Sequence, residues 1–339
     1  MMAEKVTSLE VARLAGVSQS AVSRVFTPGA SASKKTAEKV RRAAEELGYR
    51  PNQLARAMIT GKTRLIGLVV AYLDNQFYPI ALERLSRALQ LQGYHVLIFM
   101  AENSTDGVAE MIDELLSYQV AAIVTASVAM SNDLTTRCEN AGIPVVMFNR
   151  GQDDPRLSAV TSDNIAGGRS VAHFLAAGGH TRIAHIAGWQ GASTGIDRAR
   201  GFVDGLTERG LKPVAVLDGM FDRDTAAGHA RALFSGADRP EAVFVGNDHM
   251  ALAVMDTLRF ELGLRIPDDV SVVGYDDVPN AAWPTYDLTT IRQPVNRMVE
   301  ATVDALIGRI DGDNEPRRIQ IPGALIQRGS ARKPKGFTT

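Results

Sequence analysis

The chain has 339 residues, 45% hydrophobic and 22% charged, with a formal net charge of −1, the profile of an ordinary globular protein long enough for more than one core. No apolar run approaches the roughly 18–20 residues of a membrane span. The opening MMAEKVTSLEVARLAG lacks the apolar core of a secretory signal, so the expected location is the cytoplasm. The single cysteine, Cys138, excludes an intrachain disulfide and reads as a buried thiol.

The charge is unevenly spread. Residues 1–64 carry twelve Lys/Arg against five Asp/Glu, a balance of +7, and the rest of the chain carries −8. Such asymmetry points to an anionic partner for the amino-terminal segment, nucleic acid among them, or to a solvated basic face. Three short helices are predicted there. Thr7-Ser8-Leu9-Glu10 has the form of a capping box, and Val11, Leu14 and Ala15 recur at helical spacing until Gly16. Ser18 caps a second helix, from Gln19 to Phe26, which Thr27-Pro28-Gly29 breaks. Ser33 caps a third with Ala37, Val40, Ala44 and Leu47 inward, closed by Gly48.

Two short helices joined by a tight Gly-Val-Ser turn match a helix-turn-helix, and Ala12, Val17 and Val22 suit its close crossing. The outer face of the second helix is then Gln19, Ser20, Ser23 and Arg24. Gln can pair with adenine and Arg with guanine, and Ser can reach a base edge or phosphate, which is what major-groove reading requires.

VTSLEVARLAGVSQSAVSRVF, followed by KVRRAAEELGYRPNQLARAM, resembles the headpiece of the lac repressor/galactose repressor (LacI–GalR) family. The resemblance implies base reading by Gln19, Ser20 and Arg24, and DNA contacts that also include Thr7, Ser18 and Ser23. It further implies that the segment after Pro51 is a hinge helix carrying Asn52, Ala55 and Met58. Such a helix is too short to stand alone and orders in the minor groove, where an apolar side chain wedges between base pairs. Met58 stands where other members often have Leu.

From Leu65 onward, apolar strands alternate with helices: LIGLVVA, HVLIFMA, AAIVTA and PVVMF, then a second series of AVTSD, RIAHIAG, VAVLDG, EAVFVGND and VSVVGYDD. This pattern predicts parallel α/β sheets in two lobes, with a ligand beyond the carboxyl ends of the strands. Asp74, Asn75, Phe77, Tyr78, Asn149, Arg150, Asp163, Arg198, Phe221, Asn247, Asp248 and Asp276 fall at such ends. Arg, Asn and Asp with aromatic plates suit a polyhydroxylated ligand, although Asp163 and Asp248 read equally as helix caps.

RARGF, VFVGNDHMALAVMDTL, VSVVGYDD and LTTIRQPV extend the family resemblance over nearly the whole chain. The implied fold is an all-α helix-turn-helix headpiece plus a two-lobed, periplasmic-binding-protein-like α/β domain of two parallel doubly wound sheets. Implied boundaries are a headpiece over 1–50, a hinge over 51–64 and an effector-binding and dimerisation domain over 65–329. Lobe 1 takes about 65–162 and 293–322, lobe 2 about 163–292 and 323–329, and 330–339 is expected to be a disordered tail. Effector contacts are implied at Asn149, Arg198, Phe221, Asn247 and Asp276, with Phe77 and Tyr78 as stacking rings.

No Walker loop, HExxH, CxxC or GxSxG is present, and the histidines show no metal spacing, so neither an enzyme, a cofactor nor a metal is expected. A periplasmic sugar-binding protein would need an export signal and no helix-turn-helix. A ligand-independent architectural protein would not need polar and aromatic strand ends. The expected protein is a ligand-responsive transcriptional regulator, a repressor on a palindromic double-stranded operator, controlled by a small molecule such as a sugar. The basic end, without heptads, predicts a homodimer rather than a tetramer.

Overall fold

The computed structural model describes residues 6–27, 30–50, 63–101, 105–128 and 130–334. By contact the chain divides into two units, residues 1–63 and 64–339. Among its described residues the first holds three helices, α1 (Ser8–Ala15), α2 (Gln19–Val25) and α3 (Lys34–Leu47). Each begins and ends where local chemistry dictates. The backbone N–H of Thr7 donates to Glu10 at 2.7 Å, and Ser18 and Ser33 accept from the backbone of Ala21 and Thr36. Gly16 and Gly48 end α1 and α3 at φ of +64° and +66°, where a Cβ would be strained.

Val11, Ala12, Ala15, Val22, Val40, Ala43 and Ala44 form the core of this unit. Two inward assignments need correction. Leu14 is exposed, because α1 turns the face of Val11, Ala12 and Ala15 toward its neighbours, and Ala43 joins the stripe of α3 while Ala37 is only half-buried.

The second unit contains two six-stranded sheets. One is ordered β11-β5-β4-β3-β1-β2, from β1 (Leu65–Val70), β2 (His95–Met100), β3 (Ala122–Ala126), β4 (Val145–Phe148), β5 (Ser158–Ser162) and β11 (Arg318–Ile321). The other is ordered β12-β10-β9-β8-β6-β7, from β6 (Ile183–Ala187), β7 (Ala215–Asp218), β8 (Ala242–Val245), β9 (Ser271–Asp276), β10 (Thr289–Arg292) and β12 (Ala324–Ile326). All pairings are parallel except that of β12 with β10. Helices α4 (Phe77–Leu91), α5 (Thr105–Ser117), α6 (Asn132–Asn140) and α11 (Val295–Ile310) accompany the first sheet. The second has α7 (Asn164–Ala177), α8 (Ser193–Thr207), α9 (Arg223–Phe234) and α10 (Asp248–Asp256). The central strands β3, β4, β8 and β9 are buried throughout, as apolar strands covered on both faces must be.

The chain passes between the sheets three times, after β5, after β10 and after β11. The carboxyl ends of the strands meet there: Asn75, beyond β1, bonds to Asp276 at the end of β9, and the N–H of Gly151, beyond β4, donates to Ser193 at 3.0 Å.

The end of the chain departs from the expected disorder. Ser330 is buried, accepts from the N–H of Thr289 and donates to the carbonyl of Val272, whose own N–H donates to Ser330. Ala331 is buried as well. A basic, Gly/Ser-containing terminus becomes ordered when it satisfies buried backbone groups at the start of β9 and β10. Residues 335–339 lie outside the described residues.

Helices α7 and α8 approach so closely that side chains are excluded. A Cβ on Gly168 would lie 2.3 Å from the carbonyl oxygen of Arg198, and one on Gly201 would lie 2.0 Å from that of Ile165. This crossing fixes α8, which carries Arg198. Although alanine favours an isolated helix by about 1 kcal/mol over glycine, Gly201→Ala is expected to destabilise the protein by about 1–3 kcal/mol through overpacking. Denaturant midpoints compared at equal slope measure it; a stabilised variant would refute the close crossing.

Candidate nucleic-acid interface and effector cleft

Within the first unit, Ser18, Gln19, Ser20, Ser23 and Arg24 form one exposed face of α2, and Thr7 is exposed at the start of α1. Four of these already make local hydrogen bonds, two of them as caps: Thr7 closes the capping box, and Ser18 caps α2. The Gln19 amide donates to Ser8 Oγ at 2.9 Å, and the hydroxyls of Ser18 and Ser20 lie 3.0 Å apart. The apolar face of the helix holds the buried Val22, so the polar face is turned to solvent. Asn52, Ala55 and Met58 lie outside the described residues.

In the second unit the site is built around Asp276. Its Oδ2 accepts from Asn75 Nδ2 at 2.9 Å, its Oδ1 accepts from Gln293 Nε2 at 2.7 Å, and Arg198 Nη2 lies 3.5 Å from Oδ1. Arg198 is itself held by Asn164 Oδ1 at 2.9 Å, by the carbonyl of Gly246 at 2.7 Å and by the Tyr275 ring, 3.7 Å below its guanidinium carbon. Both charges are buried. Burial raises the Asp276 carboxyl above the usual range, and the Arg198 guanidinium opposes that rise.

The other residues expected here take varied positions. Asn149 Nδ2 donates to the Tyr78 hydroxyl at 3.0 Å. The Phe77 ring stacks on Phe148 in the lobe core with centroids 6.2 Å apart, and Tyr78 meets Tyr72 edge-on at 5.3 Å. Phe221 lies over Gly188, where an added Cβ would fall 2.1 Å from the ring. Asn247 Oδ1 caps α10 through the N–H of Met250 at 2.9 Å. Asp163 caps α7. Asp248 is not the cap of its helix: it is buried, accepting from Thr290 Oγ1 at 2.7 Å and from the N–H of Val278 at 3.0 Å.

Six non-glycine residues with positive φ, Ser127, Asn149, Met220, Phe221, Asp276 and Asp277, follow or end β3, β4, β7 and β9. Each such position costs about 1–3 kcal/mol, and their concentration at strand ends is typical of a ligand site. A cavity of about 180 Å³ opens at the mouth of the cleft between Asp74, Asn75 and Gln76 and, opposite, Arg223, His249 and Asn280. A larger hollow of about 410 Å³ lies around Thr135, Cys138 and Arg156, but Arg156 there is already paired with Asp154 and Glu139. Cys138 is buried, its thiol pushed up to about 11 by burial. Among the described residues no group of three or more His, Cys, Asp or Glu could hold a metal ion, and no helix is long and apolar enough to cross a membrane.

Sequence reasoning gave no role to Gln293, Tyr72, Asn164 or Trp189. Gln293 sits on an interlobe crossing and Trp189 just beyond β6, so position after a strand was the available signal. Asn75 was visible as a strand-end residue, but its bond to Asp276 spans 201 positions.

A capped helix-turn-helix, and a two-lobed α/β unit with a buried polar cleft, define a DNA-binding protein under small-molecule control. Comparison with known proteins agrees. Residues 8–52 match the family described as bacterial regulatory proteins, lacI family, and residues 171–331 match the periplasmic binding protein-like domain. The chain is 32% identical over 335 residues to the HTH-type transcriptional repressor PurR of Vibrio vulnificus, covering 96% of this chain and 99% of that one. It is also 32% identical over 331 residues to the ribose operon repressor of Escherichia coli K12, covering 96% and 99%. Among solved structures, the lac repressor dimer bound to operator and the anti-inducer ONPF superposes with a TM-score of 0.87 at 28% identity, covering 96% and 99%. The chain belongs to the lacI family of bacterial regulatory proteins; it is a ligand-responsive, DNA-binding transcriptional regulator and not an enzyme.

Burial pushes the Asp248 carboxyl up to about 7, with Asp276 adding to the rise. The folded protein therefore holds a proton there that the unfolded chain releases near pH 4, and this group's contribution to stability falls as pH rises from about 4 to 7. Wild type is expected to lose melting temperature relative to Asp248→Asn between pH 5 and pH 8; parallel curves would remove this assignment.

Proposed function

We propose that the protein is a cytoplasmic homodimeric repressor that reads a palindromic operator through α2 and releases or grips it according to the occupancy of the interlobe cleft. Gln19, Ser20 and Arg24 contact base edges, while Thr7, Ser18 and Ser23 contact phosphates or adjacent edges. Residues 51–64 serve as the hinge, with Asn52, Ala55 and Met58 against the minor groove and Met58 as the wedge. A two-fold protein on a two-fold site doubles every contact and so favours a palindrome.

The observation that carries the ligand reading is the bond from Asn75 to Asp276. It joins the two lobes through a carboxylate that also faces Arg198. A ligand that takes over these bonds stabilises one arrangement of the lobes over another, and whichever arrangement binds the operator better sets the sign of the response. Asn149, Arg198, Phe221, Asn247 and Asp276 are assigned as effector contacts, with Phe77 and Tyr78 supporting them. The ligand class assigned is a sugar or sugar derivative, since paired donors and acceptors beside aromatic rings suit vicinal hydroxyls. A similar protein, the transcriptional regulator CelR, has been solved with cellobiose, at 32% identity and a TM-score of 0.73. Dimer formation is supported by exposed apolar side chains at or near the edge strand β2 and in lobe 2: Leu91, Ile98, Met100, Phe260 and Trp283.

Arg24→Ala is expected to weaken operator binding by about 1–3 kcal/mol, roughly fivefold to a hundredfold or more, without lowering the melting temperature appreciably. Competition against random duplex at fixed salt measures this, and unchanged discrimination would remove Arg24 from the reading face. Asp276→Asn is expected to leave operator binding intact while abolishing the ligand response. A response equal to wild type would move the effector away from this cleft.

A further inference from the structure

Arg150, two residues beyond β4, is buried, yet its Nε and Nη1 have no hydrogen-bond partner and no carboxylate pairs with it among the described residues. Its contact is the ring of Trp189 on the other lobe, 5.6 Å from the guanidinium carbon. An unpaired buried guanidinium is costly, and proteins keep one where something else supplies the counter-charge.

Asp276, Asp163 and Asp248, carboxylates at strand ends, are otherwise engaged, and Asp74 at the cleft mouth is exposed to solvent. Asp276 already serves Asn75, Gln293 and Arg198, the Asp163 Oδ1 caps α7, and both oxygens of Asp248 are taken by Thr290 and Val278. Tyr72 is near enough to feel Arg150, but burial keeps its phenol protonated. Asp276 is thus matched by Arg198, and Arg150 is left without a carboxylate of its own.

Amide oxygens at the strand ends are unpartnered too. Ala126 of β3 pairs in register with Phe148 of β4, which sets Ser127 beside Asn149 at the strand ends. Asn149 Oδ1, next in sequence to Arg150, and Gln293 Oε1, just beyond β10, are buried without a hydrogen-bond partner, and Ser127 is bonded only to the Tyr72 hydroxyl. Buried polar atoms are paired almost everywhere in folded proteins, so an orphaned amide oxygen next to an orphaned cation marks a place that a ligand completes.

We propose that the effector is an anion: a polyhydroxylated small molecule whose carboxylate or phosphate is seated on Arg150, with its hydroxyls on Ser127, Asn149 and Gln293. This rests on the reading of the interlobe cleft as the effector site. Trp189 backs the guanidinium and closes the lobe-2 side, so the charge is neutralised only when the lobes hold the ligand between them.

The test uses the intact protein and Arg150→Met, melted at equal ionic strength in chloride, in sulfate, and in chloride with glucose, gluconate or glucose 6-phosphate. Without added ligand, Arg150→Met is expected to melt higher than wild type by about 2–4 °C, a shift typical of relieving a modest local penalty. Sulfate is expected to raise wild type more than the variant. Gluconate or glucose 6-phosphate is expected to raise wild type alone, the larger shift distinguishing carboxylate from phosphate. A variant that melts lower than wild type, or an equal sulfate response in the two, would overturn the proposal. A shift with neutral glucose that survives in Arg150→Met would also overturn it while leaving the cleft in place as the effector site. If none of the three sugars acts, the sulfate comparison and the unliganded melting temperatures decide. Loss of the cleft reading itself shows differently, as a ligand response unaffected by Asp276→Asn.

Discussion

The carboxylate of Asp276 is held in low dielectric by Arg198 from its own lobe and by Asn75 from the other. A buried ion pair of this kind contributes little net stability, because desolvation of both partners offsets their attraction, whereas removal of one partner costs about 3–5 kcal/mol. Its effect here is to make lobe position and cleft chemistry the same variable. Any molecule that exchanges hydrogen bonds with this pair alters the contact that joins the lobes.

The surrounding structure serves to hold that pair in place. Gly168 and Gly201 let α7 and α8 touch backbone to backbone, so Arg198 projects from a helix that cannot shift. Tyr275 lies flat under the guanidinium, and Ser162 lies 3.3 Å from the Tyr275 hydroxyl at the first crossing between lobes. Left-handed backbone at Ser127, Asn149, Phe221 and Asp276 turns side chains at strand ends toward the cleft. One continuous apolar cluster, including Ile66, Phe148, Ile186 and Val245, underlies both sheets.

The amino-terminal unit follows a different economy. Its core of seven small and branched residues is slight, and its helices are short, so the caps at Thr7, Ser18 and Ser33 and the αL glycines account for a large share of its definition. Small residues at the crossing let α2 lie close to its neighbours and leave its polar edge outward. Recognition chemistry and fold stability thus occupy opposite faces of a seven-residue helix.

Local patterns determined most of the architecture in advance. Capping boxes, αL glycines and apolar strands act over a few residues, so helix ends at Thr7, Gly16, Ser18 and Gly48 and the alternating strands were legible in the chain, as was the resemblance that placed Arg198 and Asp276 in one site. Solvent exposure of Leu14, burial of Ser330 and the cap role of Asn247 rather than Asp248 depended on which neighbours arrived from elsewhere. Partners separated by tens to hundreds of positions, such as Asn75 with Asp276 and Arg150 with Trp189, were decided by tertiary structure alone. Short-range propensity carries no information about which strand ends the sheet order brings face to face.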